Sequence, residues 1–176
     1  MKPLLDIQTA ADLEESFAAT LQASLEQCLV ALALVLPDGL SQKLSQEICL
    51  RVCSAAESQE LNRAYRGKDQ PTNVLSFGFM QNDSNANDAP VAASGEVDLP
   101  LGDLALCWPV ALAEAQQQRK NPGDHLTHLF LHGVLHLLGY DHENDADAQA
   151  MEQIEVQTLA SLGIADPYQD PSEGPR

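Results

Sequence analysis

Apolar and polar positions along the chain change rhythm several times, and each change marks an element. LLDIQ (Leu4–Gln8) is a short β-forming run and predicts a first strand. From Ala10 to about Leu36 the chain is rich in alanine and leucine, which predicts a helix, and Pro37-Asp38-Gly39 is the turn signal that ends it. EICLRVC (Glu47–Cys53) alternates apolar and polar positions as a half-buried strand does. Ser54 with Glu57 three residues on has capping-box spacing and predicts a helix over AAESQELNRAYR. RGKDQPTN reads as a loop, and VLSFGFM (Val74–Met80) as a strand rich in β-formers.

The second half continues the alternation. Gln81 to about Pro100 is Asn, Asp, Ala and Ser with little apolar patterning, so residues 81–96 read as a mobile insertion. GDLALCW (Gly102–Trp108) predicts another strand, and Pro109 suits the first turn of a helix over VALAEAQQQRK. The next helix, with Asp124 as its expected cap, is apolar on nearly every side apart from its histidines. That pattern predicts a central, buried helix, which Gly139 ends in a left-handed turn. Asn144 or Asp145 caps a last helix, whose Met151, Ile154, Thr158, Leu159 and Leu162 keep helical spacing up to Gly163. Residues 169–176 read as a loose tail. With no internal repeat and no dividing linker, the expectation is one α+β domain over residues 1–176.

Composition narrows the function classes. A chain of 176 residues suits one domain with a real core. With 9 Lys+Arg against 26 Asp+Glu, the net charge of −17 argues against a simple basic nucleic-acid binder. Any nucleic-acid role must rest on a local basic patch, a metal or a docking partner. The four cysteines form no C-x-x-C pair, so they read as reduced thiols of a cytoplasmic protein. Asp6 interrupts any signal-peptide apolar region, and the run CLVALALVL (Cys28–Leu36) is far short of the ~20 residues of a membrane span. A soluble protein without a membrane role is the expectation.

The chemistry concentrates in HGVLHLLGYDH (His132–His142). His128, His132 and His136 are each four apart and share one helix face. One ion cannot take all three, because His128 and His136 are about 12 Å apart along the axis. Two nitrogens on one zinc can be no more than about 4 Å apart. An i, i+4 pair can chelate, and the third ligand must then come from elsewhere. Gly139 stops the helix and lets His142 swing back toward His136. This selects His132, His136 and His142, and leaves His125 and His128 as surface or supporting residues. Three imidazoles suit zinc, or nickel, copper or iron, better than magnesium or calcium. Three protein ligands keep a position open for water, as catalytic zinc sites do, whereas structural sites close with four.

HGVLHLLGYDH resembles the signature of the YbeY family of bacterial metal-dependent endoribonucleases. ELNRAYRGKDQPTNVLSF (Glu60–Phe77), LGDLALC (Leu101–Cys107) and the closing GIADPY are similar to further segments of that family, so the likeness covers about residues 47–168. The resemblance implies a small mixed sheet of about four strands packed with helices, with the metal site at the end of the central helix. It implies that His132, His136 and His142 bind one zinc ion and that Arg66 serves RNA cleavage. The implied activity is single-strand-specific, in 16S rRNA 3′-end maturation and ribosome quality control. The implied partners are the small ribosomal subunit, one of its proteins and a ribosome-associated GTPase.

One absence shapes the chemistry. Zinc peptidases with an H-E-x-x-H helix use the glutamate as general base, and here that position is Gly133. A mid-helix glycine costs ~1 kcal/mol against alanine, which points to close approach by a neighbouring element. Peptidase chemistry is disfavoured. A phosphodiester transition state instead needs its extra negative charge neutralised, which a metal and a guanidinium can do together. Arg66 lies in the one conspicuously basic stretch, with Arg63 and Lys68 as further RNA-binding candidates. Asp141 either orients a ligand imidazole or shapes the turn, and Asp103, at a strand start, reads as supporting. The rival readings are a zinc hydrolase of another substrate and a non-catalytic assembly factor that uses zinc for folding.

Overall fold

The computed structural model describes residues 4–9, 15–78, 99–142 and 144–169. In chain order the elements are β1 (Leu5–Thr9), α1 (Glu15–Val35), α2 (Asp38–Ser41), a 3-10 turn (Gln42–Ser45), β2 (Ile48–Cys53) and α3 (Ala55–Arg66). Then follow β3 (Val74–Gly78), β4 (Gly102–Cys107), α4 (Trp108–Gln117), α5 (Pro122–Leu137) and α6 (Asp145–Ser161). The expected 81–96 insertion and the tail beyond Gln169 lie outside the described residues.

The four strands form one mixed sheet in the order β1-β2-β4-β3. β1, β2 and β4 run parallel, and β3 pairs antiparallel with β4 through Val74↔Leu106 to Gly78↔Gly102. The mixed α+β architecture is the one expected. β4 is interior, and Leu104 to Cys107 are all buried, so its sequence is apolar on both faces. Leu104 and Leu106 join the main core with Ile48, Leu50 and Val52 of β2 and with α1, α5 and α6. Ala105 and Cys107 join Cys53 and Leu75 in a smaller cluster under Leu61 of α3. Because successive strand residues point to opposite faces, α3 and α5 sit on opposite sides of the sheet.

α5 is the central helix. Leu126, Phe130, Leu131, Val134 and Leu135 are all buried against the sheet, α1 and α6. Gly133 explains how close the sheet comes, since a Cβ there would meet the Leu104 Cδ2 at 2.8 Å. The position one residue after His132 therefore faces β4, and a glutamate could not be housed there.

Several local expectations need correction. The α5 cap is Asn121 rather than Asp124: its Oδ1 accepts from the backbone N–H of Gly123 (2.8 Å) and Asp124 (3.3 Å), with Pro122 opening the helix. Asp124 is a first-turn acid instead, placed favourably toward the helix dipole. Ser54 does cap α3 by accepting from the Glu57 N–H, but the Glu57 carboxylate pairs with Arg51 at 2.9 Å, so the box is only half built. Asn144, not Asp145, caps α6 by accepting from the Asp147 N–H. α1 also departs from the run-length argument, because Phe17–Val35 is by length and composition apolar enough to cross a membrane. Leu21, Leu25, Cys28, Leu29 and Leu32 of that stretch are buried in the core. All four cysteines are free; burial pushes the Cys28 and Cys53 thiols up to about 12, which leaves them unreactive.

Candidate metal centre

His132 and His136 lie one turn apart in the last half of α5, and Gly139 stops the helix just beyond them. Gly139 has φ +96°, a conformation that disfavours any side chain, and the Tyr140 N–H returns to the Leu135 carbonyl at 3.0 Å. The chain then folds back, and the Asp141 carboxylate accepts from the His142 N–H at 2.7 Å. This turn brings the exposed His142 ring over the pair. Its centroid lies 5.6 Å from that of His132 and 5.2 Å from that of His136.

One nitrogen from each of His132, His136 and His142 falls within 4.8 Å of the others. The hydrogen bonds on the far side of each helical ring show which nitrogen that is. His132 Nδ1 lies 2.9 Å from a carboxylate oxygen of Glu155, and His136 Nδ1 lies 3.0 Å from the Tyr140 carbonyl. A carbonyl and an ionised carboxylate can only accept, so both Nδ1 atoms carry the proton. In the neutral rings both Nε2 atoms are then unprotonated acceptors, and they lie 3.1 Å from each other. Two nitrogens bound tetrahedrally at 2.0–2.1 Å to one zinc would stand about 3.3 Å apart. The pair is thus preset at a chelating distance and disfavours itself unless a cation sits between. Burial, then the neighbouring His132, lower the His136 pKa against the Tyr140 carbonyl, which favours the neutral ring that can coordinate.

Among the described residues this group numbers three, with no fourth donor to close it. The donor set of neutral imidazoles fits zinc or a similar late transition metal.

The residue that sequence reasoning missed is Glu155. It lies on α6, is 0% exposed, and puts one oxygen on His132 and the other on the Tyr168 hydroxyl, with His128 Nε2 at 3.5 Å. Burial alone would push its carboxyl up, but the nearby His128 and the hydrogen bonds from His132 and Tyr168 outweigh burial and bring it down to about 2. A signal existed: Glu155 is four residues after Met151 and three before Thr158, a charge inside the buried stripe of α6.

The other histidines are supporting rather than surface residues. His128 faces Glu155, and the buried His125 pairs with Glu114 at 3.0 Å. Glu114 also accepts from the Asn73 side chain at 3.1 and 3.2 Å, which ties the end of the RGKDQPTN loop to α4. Asp141 shapes the turn, while the imidazole partners are Glu155 and a backbone carbonyl. Asp103 is exposed on β4, in register with Cys49 and Phe77 and outside the histidine group. Arg63, Arg66 and Lys68 are exposed around the C-terminal end of α3, and among the described residues no side-chain hydrogen bond or ion pair holds them. Among the described residues, no hydrogen bond, ion pair or ring contact joins them to the histidines.

Comparisons with known proteins show the family. The family model described as "Endoribonuclease YbeY" matches residues 7–163. The chain is 44% identical over 168 residues to the Endoribonuclease YbeY of Alteromonas mediterranea, covering 96% of this chain and 98% of that one. It is 52% identical over 123 residues to that of Stenotrophomonas maltophilia, covering 69% of this chain and 71% of that one. In fold it is similar to the solution structure of TM1509 from Thermotoga maritima, with a TM-score of 0.50, 20% identity, and coverage of 94% and 99%. With a three-histidine group seated in a mixed α+β fold and a family match over most of its length, the chain belongs to the YbeY endoribonucleases.

Proposed function

We propose that this endoribonuclease is zinc-dependent, acts on single-stranded RNA, and serves 16S rRNA 3′-end maturation and ribosome quality control in the cytoplasm. The observation that carries the metal part is the approach of the His132 and His136 Nε2 atoms to 3.1 Å, with His142 folded over them. A bound zinc would lower the pKa of its water toward 7 and polarise a phosphoryl oxygen, which replaces the general base missing at Gly133. His132, His136 and His142 hold the ion. Glu155 and the Tyr140 carbonyl fix the direction of the two helical rings.

Arg66 supplies the second charge. Its guanidinium is free to fork onto a phosphate and stabilise the added negative charge of the transition state, and Arg63 and Lys68 extend that patch along the strand. The net charge of −17 repels free RNA elsewhere on the surface. Docking on the small ribosomal subunit, through one of its proteins and a ribosome-associated GTPase, would offset that repulsion. Cleavage on the ribosome should therefore exceed cleavage of naked RNA.

The test is incubation of purified protein with single-stranded rRNA fragments and with casein, each with and without chelator. RNA cleavage that disappears with chelator, returns with zinc and leaves casein intact is the expected result. Full RNA cleavage by metal-free protein would overturn the proposal. A protein that unfolds in chelator and never cuts RNA would instead be the non-catalytic assembly factor.

A further inference from the structure

The last described segment, from Leu162 to Gln169, touches the metal centre through a single side chain. Lys120 Nζ donates to the Pro167 carbonyl at 2.9 Å, and the Tyr168 N–H donates to Asp166 at 2.9 Å. These contacts set the Tyr168 hydroxyl on the Glu155 carboxylate, while its ring stands edge-on to His128 with centroids 5.7 Å apart. Tyr168 is nonetheless 47% exposed, so packing alone does not explain why its hydroxyl turns inward.

Glu155 poses a charge problem. It is a carboxylate with no exposed surface, and its neighbours at hydrogen-bond or ion-pair distance are His132, His128 and Tyr168. None of these carries a formal charge when the imidazoles and the phenol are neutral. Hydrogen bonds hold Glu155 ionised, yet among the described residues no formal counter-charge stands beside it to balance the buried negative charge. A compensating positive charge can sit on the far side of the His132 ring, where its Nε2 faces His136. A carboxylate–histidine–metal line answers both needs at once, since it fixes the ring and neutralises the carboxylate.

We propose that Glu155 and Tyr168 are positioning residues of the metal centre: Tyr168 holds one oxygen of Glu155 so that the other orients His132 toward the ion. This inference rests on the metal reading given above. It makes the C-terminal segment part of the site, although no residue of that segment is a metal ligand.

The experiment measures zinc affinity of the full-length, metal-stripped protein by competition with a chromophoric chelator, and records the visible spectrum of the cobalt-loaded form. Glu155→Gln should weaken zinc binding by roughly 10–100-fold, and Tyr168→Phe, which keeps the ring and loses only the hydroxyl, by roughly 3–10-fold. Both should alter the cobalt bands, because the orientation of His132 changes. Thermal unfolding of the metal-free variants separates this from a general loss of structure, and Tyr168→Phe decides the matter if Glu155→Gln does not fold. Parent and folded variants binding zinc within twofold of one another would overturn the inference alone. A parent that binds no zinc would overturn the metal reading and this inference with it.

Discussion

The two regions proposed to act on RNA are built in opposite ways. The end of α5 holds its side chains before any ligand arrives: His132 is tied to Glu155, His136 to the Tyr140 carbonyl, and His142 is delivered by a glycine turn. The C-terminal end of α3 presents Arg63, Arg66 and Lys68 exposed and, among the described residues, untied. An ion of fixed radius rewards a preset cage, since each ring frozen beforehand removes an entropy cost from binding. A flexible polyanion rewards long mobile cations that adapt to it. The first region should therefore answer to substitution through metal affinity and the fold, the second through RNA alone.

The sharpest break of that contrast is His136→Ala. It removes one of three donors, so zinc affinity should fall by at least roughly 10³-fold and RNA cleavage should vanish. Metal analysis after dialysis against a weak chelator checks this, and a variant that keeps one zinc per chain would contradict the cage. Next comes Gly133→Val. Branched carbons would be driven into the Leu104 side chain, which already stands 2.8 Å from a Cβ position. Urea unfolding should show a loss of about 1–3 kcal/mol, the usual range for overpacking. Unchanged stability would mean that α5 is less tightly seated on β4 than the geometry states.

Arg66→Ala tests the other side. Cleavage should drop roughly 10²-fold, the scale for losing one charge-stabilising donor. Zinc affinity should stay the same, and stability should move by no more than about 0.5 kcal/mol, as for exposed positions generally. Full cleavage with zinc bound would remove Arg66 from the mechanism.

This asymmetry also governs what the sequence could reveal. The elements of the sheet were legible because strand alternation and helical spacing depend on nearest neighbours, and the three-histidine group was legible because i, i+4 spacing and a glycine stop are local geometry. Glu155 was not read, because its partner lies 23 positions away on another helix. Only packing of α6 against α5 brings the two together. Asn121 was overlooked as the α5 cap because Asp124 fits the same rule, and the structure chose the residue that precedes Pro122. The capping box was half right for a similar reason: Arg51, on the neighbouring strand, competes for Glu57 and wins. Tertiary contacts decide between local options of nearly equal worth.

Acid sharpens the comparison with a smaller effect. The Glu155 carboxyl is lowered from 4.5 to about 2 in the fold, so the folded state holds its ionised form more firmly than the unfolded chain does. Its contribution to stability is therefore complete above pH 4.5 and is lost as the pH falls from there toward 2. Metal-free protein followed by denaturant unfolding should lose stability across that window, and Glu155→Gln should flatten the loss. Arg66→Ala should leave the acid profile unchanged, since the exposed end of α3 has no part in it.

The smallest effect belongs to Lys68→Ala. Lysine meets phosphate as a point charge on a flexible stem, without the planar fork of arginine. Its loss should weaken binding of single-stranded RNA uniformly across sequences, by a few-fold at moderate salt. The more telling measurement is the slope of log affinity against log salt, which should become shallower by about 0.7 if one phosphate contact has gone. Zinc affinity and the cobalt spectrum should not change. Should Lys68→Ala instead alter the cobalt bands while the salt slope stays fixed, the division between a preset metal cage and an adaptable phosphate patch would fail, because the two ends would then share one rigid site.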